Sequence, residues 1–170
     1  MSTASLVITN EKCIGCNKCI SACPVLTANH AVEEDGKSKI YVDGNACISC
    51  GACIDACEHG AREFEDDTER FFADLQKGEK ISLLVAPAFL ANYPGEYASV
   101  LGGLKKLGAG RIISVSFGAD ITTWGYIKYI TEHKFYGGIS QPCPAVVNYI
   151  ERYVPELLPK LMPIHSPMMC

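Results

Sequence analysis

This 170-residue sequence has no long apolar run. Its greasiest stretch, 81–93, contains Pro87 and falls short of the roughly 18 residues needed to span a bilayer, which argues against a membrane protein. It has no Lys/Arg cluster either. With a formal net charge of −4, a nucleic-acid partner is disfavoured, and a mildly acidic surface suits redox partner proteins. The N-terminus lacks a basic start, and its first apolar stretch is three residues, too short for a signal peptide. A cytoplasmic protein is expected, which disfavours a disulfide framework as the use of the cysteines. Cysteine itself is scarce through most of the chain: after Cys57 only Cys143 and Cys170 remain.

What the first sixty residues do contain is a repeat. Cys13, Cys16, Cys19 and Cys23 recur 34 positions later as Cys47, Cys50, Cys53 and Cys57, and seven of the eleven positions in each run match, so two pseudo-symmetric halves are expected. Each run follows a short β-like segment, at 6–9 and 39–42, and 61–64 could pair as a further strand. Large apolar residues are too few here for burial alone to hold the fold, so a sulfur-bound cross-link must contribute.

The segment 65–80 is charged, with Phe71, Phe72 and Leu75 at helical spacing, and reads as a connecting helix ended by Gly78. From 81 onward the chain is apolar enough to bury a core. Residues 81–86 read as a strand covered on both faces, and 111–116 as a second strand. Tyr97, Val100, Leu101, Leu104 and Leu107 form the stripe of a core-facing helix closed by Gly108. A helix at 120–133 capped by Asp120, a third strand near 136–140 and a helix from Pro144 through Tyr153 complete the pattern. Alternating strands and helices imply a parallel sheet. The expected class is α+β, a two-cluster domain followed by an α/β segment with a parallel sheet.

The spacing C-x2-C-x2-C-x3-C-P is that of thiolate ligands to 4Fe-4S clusters, in which the fourth cysteine serves the other cluster. By this pattern Cys13, Cys16, Cys19 and Cys57 hold one cluster, and Cys47, Cys50, Cys53 and Cys23 hold the other. Pro24 follows the first run as the pattern asks, whereas Glu58 replaces proline after the second. Structural zinc also takes four thiolates, but its sites use separated Cys pairs more often than two runs of four. Residues 1–64 resemble the two-cluster ferredoxins, which implies a small α+β sandwich, one-electron transfer and a redox partner protein or domain. Ile14, Ile20, Ile48 and Ile54 would be the apolar shield around the clusters.

Cys143 lies between a strand end and a helix start, with Pro144 suited to the first turn, so it is expected at or near the N-cap, where a thiolate is favoured. Residues 85–88, 117–120, 141–145, 155–159 and 165–167 resemble the N-terminal part of the active-site domain of FeFe-hydrogenases, over 81–170. The resemblance implies that Cys143 is a ligand to the hydrogenase-type active-site cluster of a full-length relative. Catalytic members read T-S-C-C-P there, and the proton-relaying cysteine falls on Pro142, a departure resembling the sensory branch of the family. The family's further cluster cysteines lie beyond the Ser166–Pro167 segment, and Cys170 matches none of them. A partial domain, unable to assemble the complete hydrogen-converting site, is therefore expected. A self-contained ferredoxin-type carrier, its second half docking a partner, is the other reading. His30, His59, His133 and His165 are scattered and suggest no site.

Overall fold

The computed structural model describes residues 5–170; residues 1–4, on which the first domain is expected to begin, lie outside the described residues. In chain order the elements are β1 (Val7–Thr9), α1 (Lys18–Ser21), β2 (Asn29–Glu34), β3 (Lys37–Val42), α2 (Ala52–Asp55), β4 (Arg62–Phe64) and α3 (Thr68–Gln76). There follow β5 (Leu83–Val85), α4 (Pro87–Asn92), α5 (Tyr97–Lys106), β6 (Ile112–Ser114), α6 (Val115–His133), α7 (Pro144–Tyr153) and a 3-10 turn, Pro155–Lys160. Contacts divide the chain into two units: Met1–Asp66 with Cys143–Pro159, and Asp67–Pro142 with Lys160–Cys170.

In the first unit β1 pairs antiparallel with β4, in the register Val7↔Phe64, Ile8↔Glu63 and Thr9↔Arg62. This is the strand pairing expected for 61–64. The strand β2 was not anticipated. It pairs with β3 across a two-residue turn, Asp35 (φ 49) and Gly36 (φ 73). Both turn residues take positive φ, as a primed hairpin turn requires, and the Asp-Gly pair is its usual sequence mark. Charged residues along this hairpin, Glu33, Glu34, Lys37 and Lys39, suit it to solvent. Val7 and Ile40 are almost fully buried and pack with Cys19 and Cys53. Burial of side chains of this size contributes about 1.5–3 kcal/mol each.

The second unit holds the expected parallel pair, β5 with β6, in the register Leu83↔Ile112 through Val85↔Ser114. The expected connecting helix is α3, ended by Gly78 at φ 81, whose N–H reaches the Leu75 carbonyl at 3.0 Å. Four expectations fail here. The strand expected to be covered on both faces is not, since Leu84 of β5 is 52% exposed beside a two-stranded sheet. The helix expected from Asp120 starts five residues earlier, because Ser114 caps it, its hydroxyl accepting from the Ser116 N–H at 3.3 Å. Gly118 is thereby placed inside α6, and a Cβ there would collide with the Pro167 carbonyl. The strand expected near 136–140 reduces to a single parallel bridge, Ile139↔Leu161, since Gly137 turns the chain at φ 71. Finally, the α5 stripe is not sealed in a core: Val100 is 42% and Leu107 58% exposed. With only two strands, the sheet does not give that helix a broad surface to pack on. Among the described residues no helix is long and apolar enough to cross a membrane.

Candidate metal centre

Each cysteine run is shaped by two left-handed residues at equivalent places: Gly15 (φ 70) and Asn17 (φ 63) in the first, Ser49 (φ 57) and Gly51 (φ 84) in the second. These residues bend the chain around the side of each run and deliver it into a one-turn helix, α1 or α2, which also occupy equivalent positions. The exposures repeat as well. Cys16 and Cys50 are exposed, Cys19 and Cys53 buried, and Cys13, Cys23, Cys47 and Cys57 half-buried. Gly15 meets a second demand, since a Cβ there would lie 2.6 Å from the Ser38 carbonyl oxygen on β3.

Cys13, Cys16, Cys19 and Cys57 line one cavity, together with Ile14, Ile40, Ala61 and Arg62. The cysteine from the second run thus faces the three from the first. Cys23, from the first run, packs with Cys47 against Val25, Ala28, Ala46 and Ile48. Backbone N–H groups are aimed at sulfur: Ser49 N donates to Cys47 Sγ at 3.4 Å, and Ala61 N to Cys57 Sγ at 3.3 Å. Burial pushes the Cys19 and Cys53 thiols up, opposed by the charge of Arg62. At Cys57 burial also acts upward, but N–H donors from Ala61, His59 and Arg62, with the Arg62 charge, outweigh it and lower the thiol. No disulfide joins any of the ten cysteines, and among the described residues no three Cys, His, Asp or Glu side chains converge as ligands of a single ion would.

The donor set fits an iron-sulfur cluster. Four thiols around one small volume, N–H donors on the sulfurs and a buried guanidinium nearby are features that stabilise a thiolate-held, negatively charged group. Of the isoleucines expected to shield it, Ile48 is buried and Ile20 and Ile54 are half-buried, whereas Ile14 is 64% exposed. Ile14 nevertheless lines the cavity of Cys13, Cys16, Cys19 and Cys57. Glu58, which replaces the expected proline, pairs with Lys18 at 2.5 Å and links the two runs, although both side chains are solvent-exposed.

Cys143 is the N-cap of α7, exposed, with Pro144 at the first helical position as expected. Sequence reasoning did not foresee what α7 does in the first unit. Arg152 donates to the Asn45 and Cys47 carbonyls at 2.9 and 2.8 Å, the Tyr153 hydroxyl to the Ala46 carbonyl at 2.7 Å, and Ala145 packs on the group that holds Cys23 and Cys47. No sequence signal pairs residues a hundred positions apart. Arg62 was missed too, although an arginine five positions after a cysteine ligand is visible in the sequence. Cys170 lies in the second unit, exposed, its sulfur 3.5 Å from Thr122 Oγ1.

The paired runs and their cavity define the first unit as an iron-sulfur electron-transfer domain, and residues 12–61 match the family model of the 4Fe-4S dicluster domain. Residues 79–170, more than half of the chain, match that of the iron only hydrogenase large subunit, C-terminal domain, and the chain belongs to that family. No curated protein matches the chain.

Proposed function

We propose that the first unit holds two 4Fe-4S clusters and relays electrons between an external carrier and the hydrogenase-like domain. Cys13, Cys16, Cys19 and Cys57 hold one cluster; Cys47, Cys50, Cys53 and Cys23 hold the other. Bound there, the clusters supply one-electron storage. The observation that carries the reading is the seating of α7 on the second run: Arg152 and Tyr153 bond the 45–47 carbonyls, and Ala145 packs beside Cys23 and Cys47. The helix capped by Cys143 is thereby fixed to the loop that carries three thiolates. Cys143 is the residue through which a hydrogenase-type cluster would be attached. Pro142, immediately before it, has no titratable group and cannot pass a proton, so the role is hydrogen sensing rather than rapid turnover.

The test is anaerobic reconstitution followed by iron, zinc and acid-labile sulfide determination and a reductive titration. About eight irons and eight sulfides per chain are expected, with two one-electron uptakes. Stoichiometric zinc without iron would overturn the reading. After treatment with the family's maturation machinery, hydrogen evolution from reduced methyl viologen should stay at the apoprotein background. Clear turnover would overturn the sensory assignment.

A further inference from the structure

Arg62 is only 4% exposed, yet it carries a permanent charge. Its guanidinium donates to Thr9 Oγ1, to Asn29 Oδ1 and, at 3.4 Å, to the Ile40 carbonyl. All three acceptors are neutral, and Nε is buried without a hydrogen-bond partner. Removing a cation from water without an anionic partner costs several kcal/mol. The anions this position can meet are sulfurs: Arg62 lines the cavity of Cys13, Cys16, Cys19 and Cys57, and its charge opposes the upward push of burial on the Cys53 thiol of the other run.

We propose that Arg62 is the buried counter-charge of the iron-sulfur site, holding the extra negative charge that comes with each electron and so raising the potential at which the site is reduced. The proposal rests on the functional reading above. A fixed cation favours the more negative, reduced state, and low local polarity strengthens its effect. Thr9, Asn29 and the Ile40 carbonyl position the guanidinium by binding one side of it. Its unpartnered Nε is left over from these bonds.

A purely structural arginine, tying β1 to the β2–β3 hairpin, would make the same three hydrogen bonds without affecting the potential. The two roles separate in redox titrations of the full chain followed by electron paramagnetic resonance, after iron and sulfide have been counted. Arg62→Met should lower the midpoint of the cluster held by Cys13, Cys16, Cys19 and Cys57, and Arg62→Lys should restore most of the difference. Asn29→Asp retains the guanidinium but gives it a carboxylate partner, and should also lower the midpoint. If Arg62→Met loses its iron, Asn29→Asp decides. Full iron content with unmoved midpoints in these variants would overturn the proposal while leaving the functional reading intact. A wild-type chain without iron would instead sink the functional reading.

Discussion

In the first unit Val7, Ile40, Cys19 and Cys53 are packed out of reach of water, with Val25, Ala28, Ala46 and Ile48 as a second buried group. In the second unit, which is richer in large apolar residues, Phe117, Trp124 and Ile127 are each more than 60% exposed, and so are Tyr136, Met168 and Met169. The segment poorer in large side chains is the better buried. Its short strands and one-turn helices close around the cysteines from two sequence-distant runs, so small residues such as Ala28 and Ala61 suffice to fill it. The second unit offers two short parallel strands, and a parallel sheet is sheltered only when both faces are covered. Apolar content measures what a segment could bury; topology decides what it does bury.

The most severe test of that contrast is removal of the metal. Anaerobic chelation of the reconstituted chain should abolish amide protection in β1, β3 and β4, because a core of this size supplies only about 3–5 kcal/mol without a staple. Protection within α5 and α6 should be largely unchanged. Hydrogen exchange followed by mass spectrometry measures both, and simultaneous loss in the two units would break the comparison. Cys57→Ala comes next. Iron should fall from about eight to about four per chain, and the cluster lost should be the one whose other ligands lie in the first run. Loss of the cluster held by Cys47, Cys50 and Cys53 would reverse the ligand pairing.

A smaller effect is expected at two closely approached glycines, one taken from each unit. Gly15→Ala should cost about 1–3 kcal/mol, since its Cβ would press on the Ser38 carbonyl oxygen at a positive φ. At Gly118→Ala the Cβ would lie closer to the Pro167 carbonyl oxygen than that of Gly15→Ala to Ser38, and a gain of about 1 kcal/mol in helix propensity is too small to offset that overpacking. Denaturant titration should therefore find the second change more costly than the first; the opposite order would show that backbone conformation outweighs crowding. The smallest effect is a gain. Ser49→Gly relieves a left-handed non-glycine residue and should stabilise the first unit by about 0.5–1 kcal/mol. An unchanged denaturation midpoint would mean that Ser49 is not strained.

The parts of the fold legible in the sequence are those set by local chemistry. Cysteine spacing marked both runs, Gly78 and Gly108 marked helix ends, and Pro144 marked the start of α7 with Cys143 as its cap. The β2–β3 hairpin was signalled by Asp35 and Gly36 but hidden by the polar character of β2, which is exposed along nearly its whole length. The start of α6 was misread because Val115 continues an apolar β-like run, and the Ser114 hydroxyl's capping bond is visible only in three dimensions. At the candidate site, the cysteines announce themselves by repetition. Arg62 and Arg152 do not, because the role of each depends on partners far along the chain.

The two cysteine runs trace nearly the same path, yet they have exchanged where they keep their glycine. The first places it at Gly15, beneath Ser38 of β3, and tolerates Asn17; the second tolerates Ser49 and places it at Gly51, where Phe64 of β4 lies 3.4 Å from the point a Cβ would occupy. Both positions require the same backbone twist, but of the two glycines Gly15 alone would drive a Cβ into a strand, since at Gly51 the Phe64 ring stands at ordinary contact distance. The halves are therefore not interchangeable cassettes. Grafting residues 47–57 into the place of 13–23 would preserve every ligand and every bend, and would drive a serine side chain into the hairpin. Duplicated loops can diverge where a neighbour leaves room, while the close approach of Ser38 to Gly15 marks the place that the first copy alone must fit.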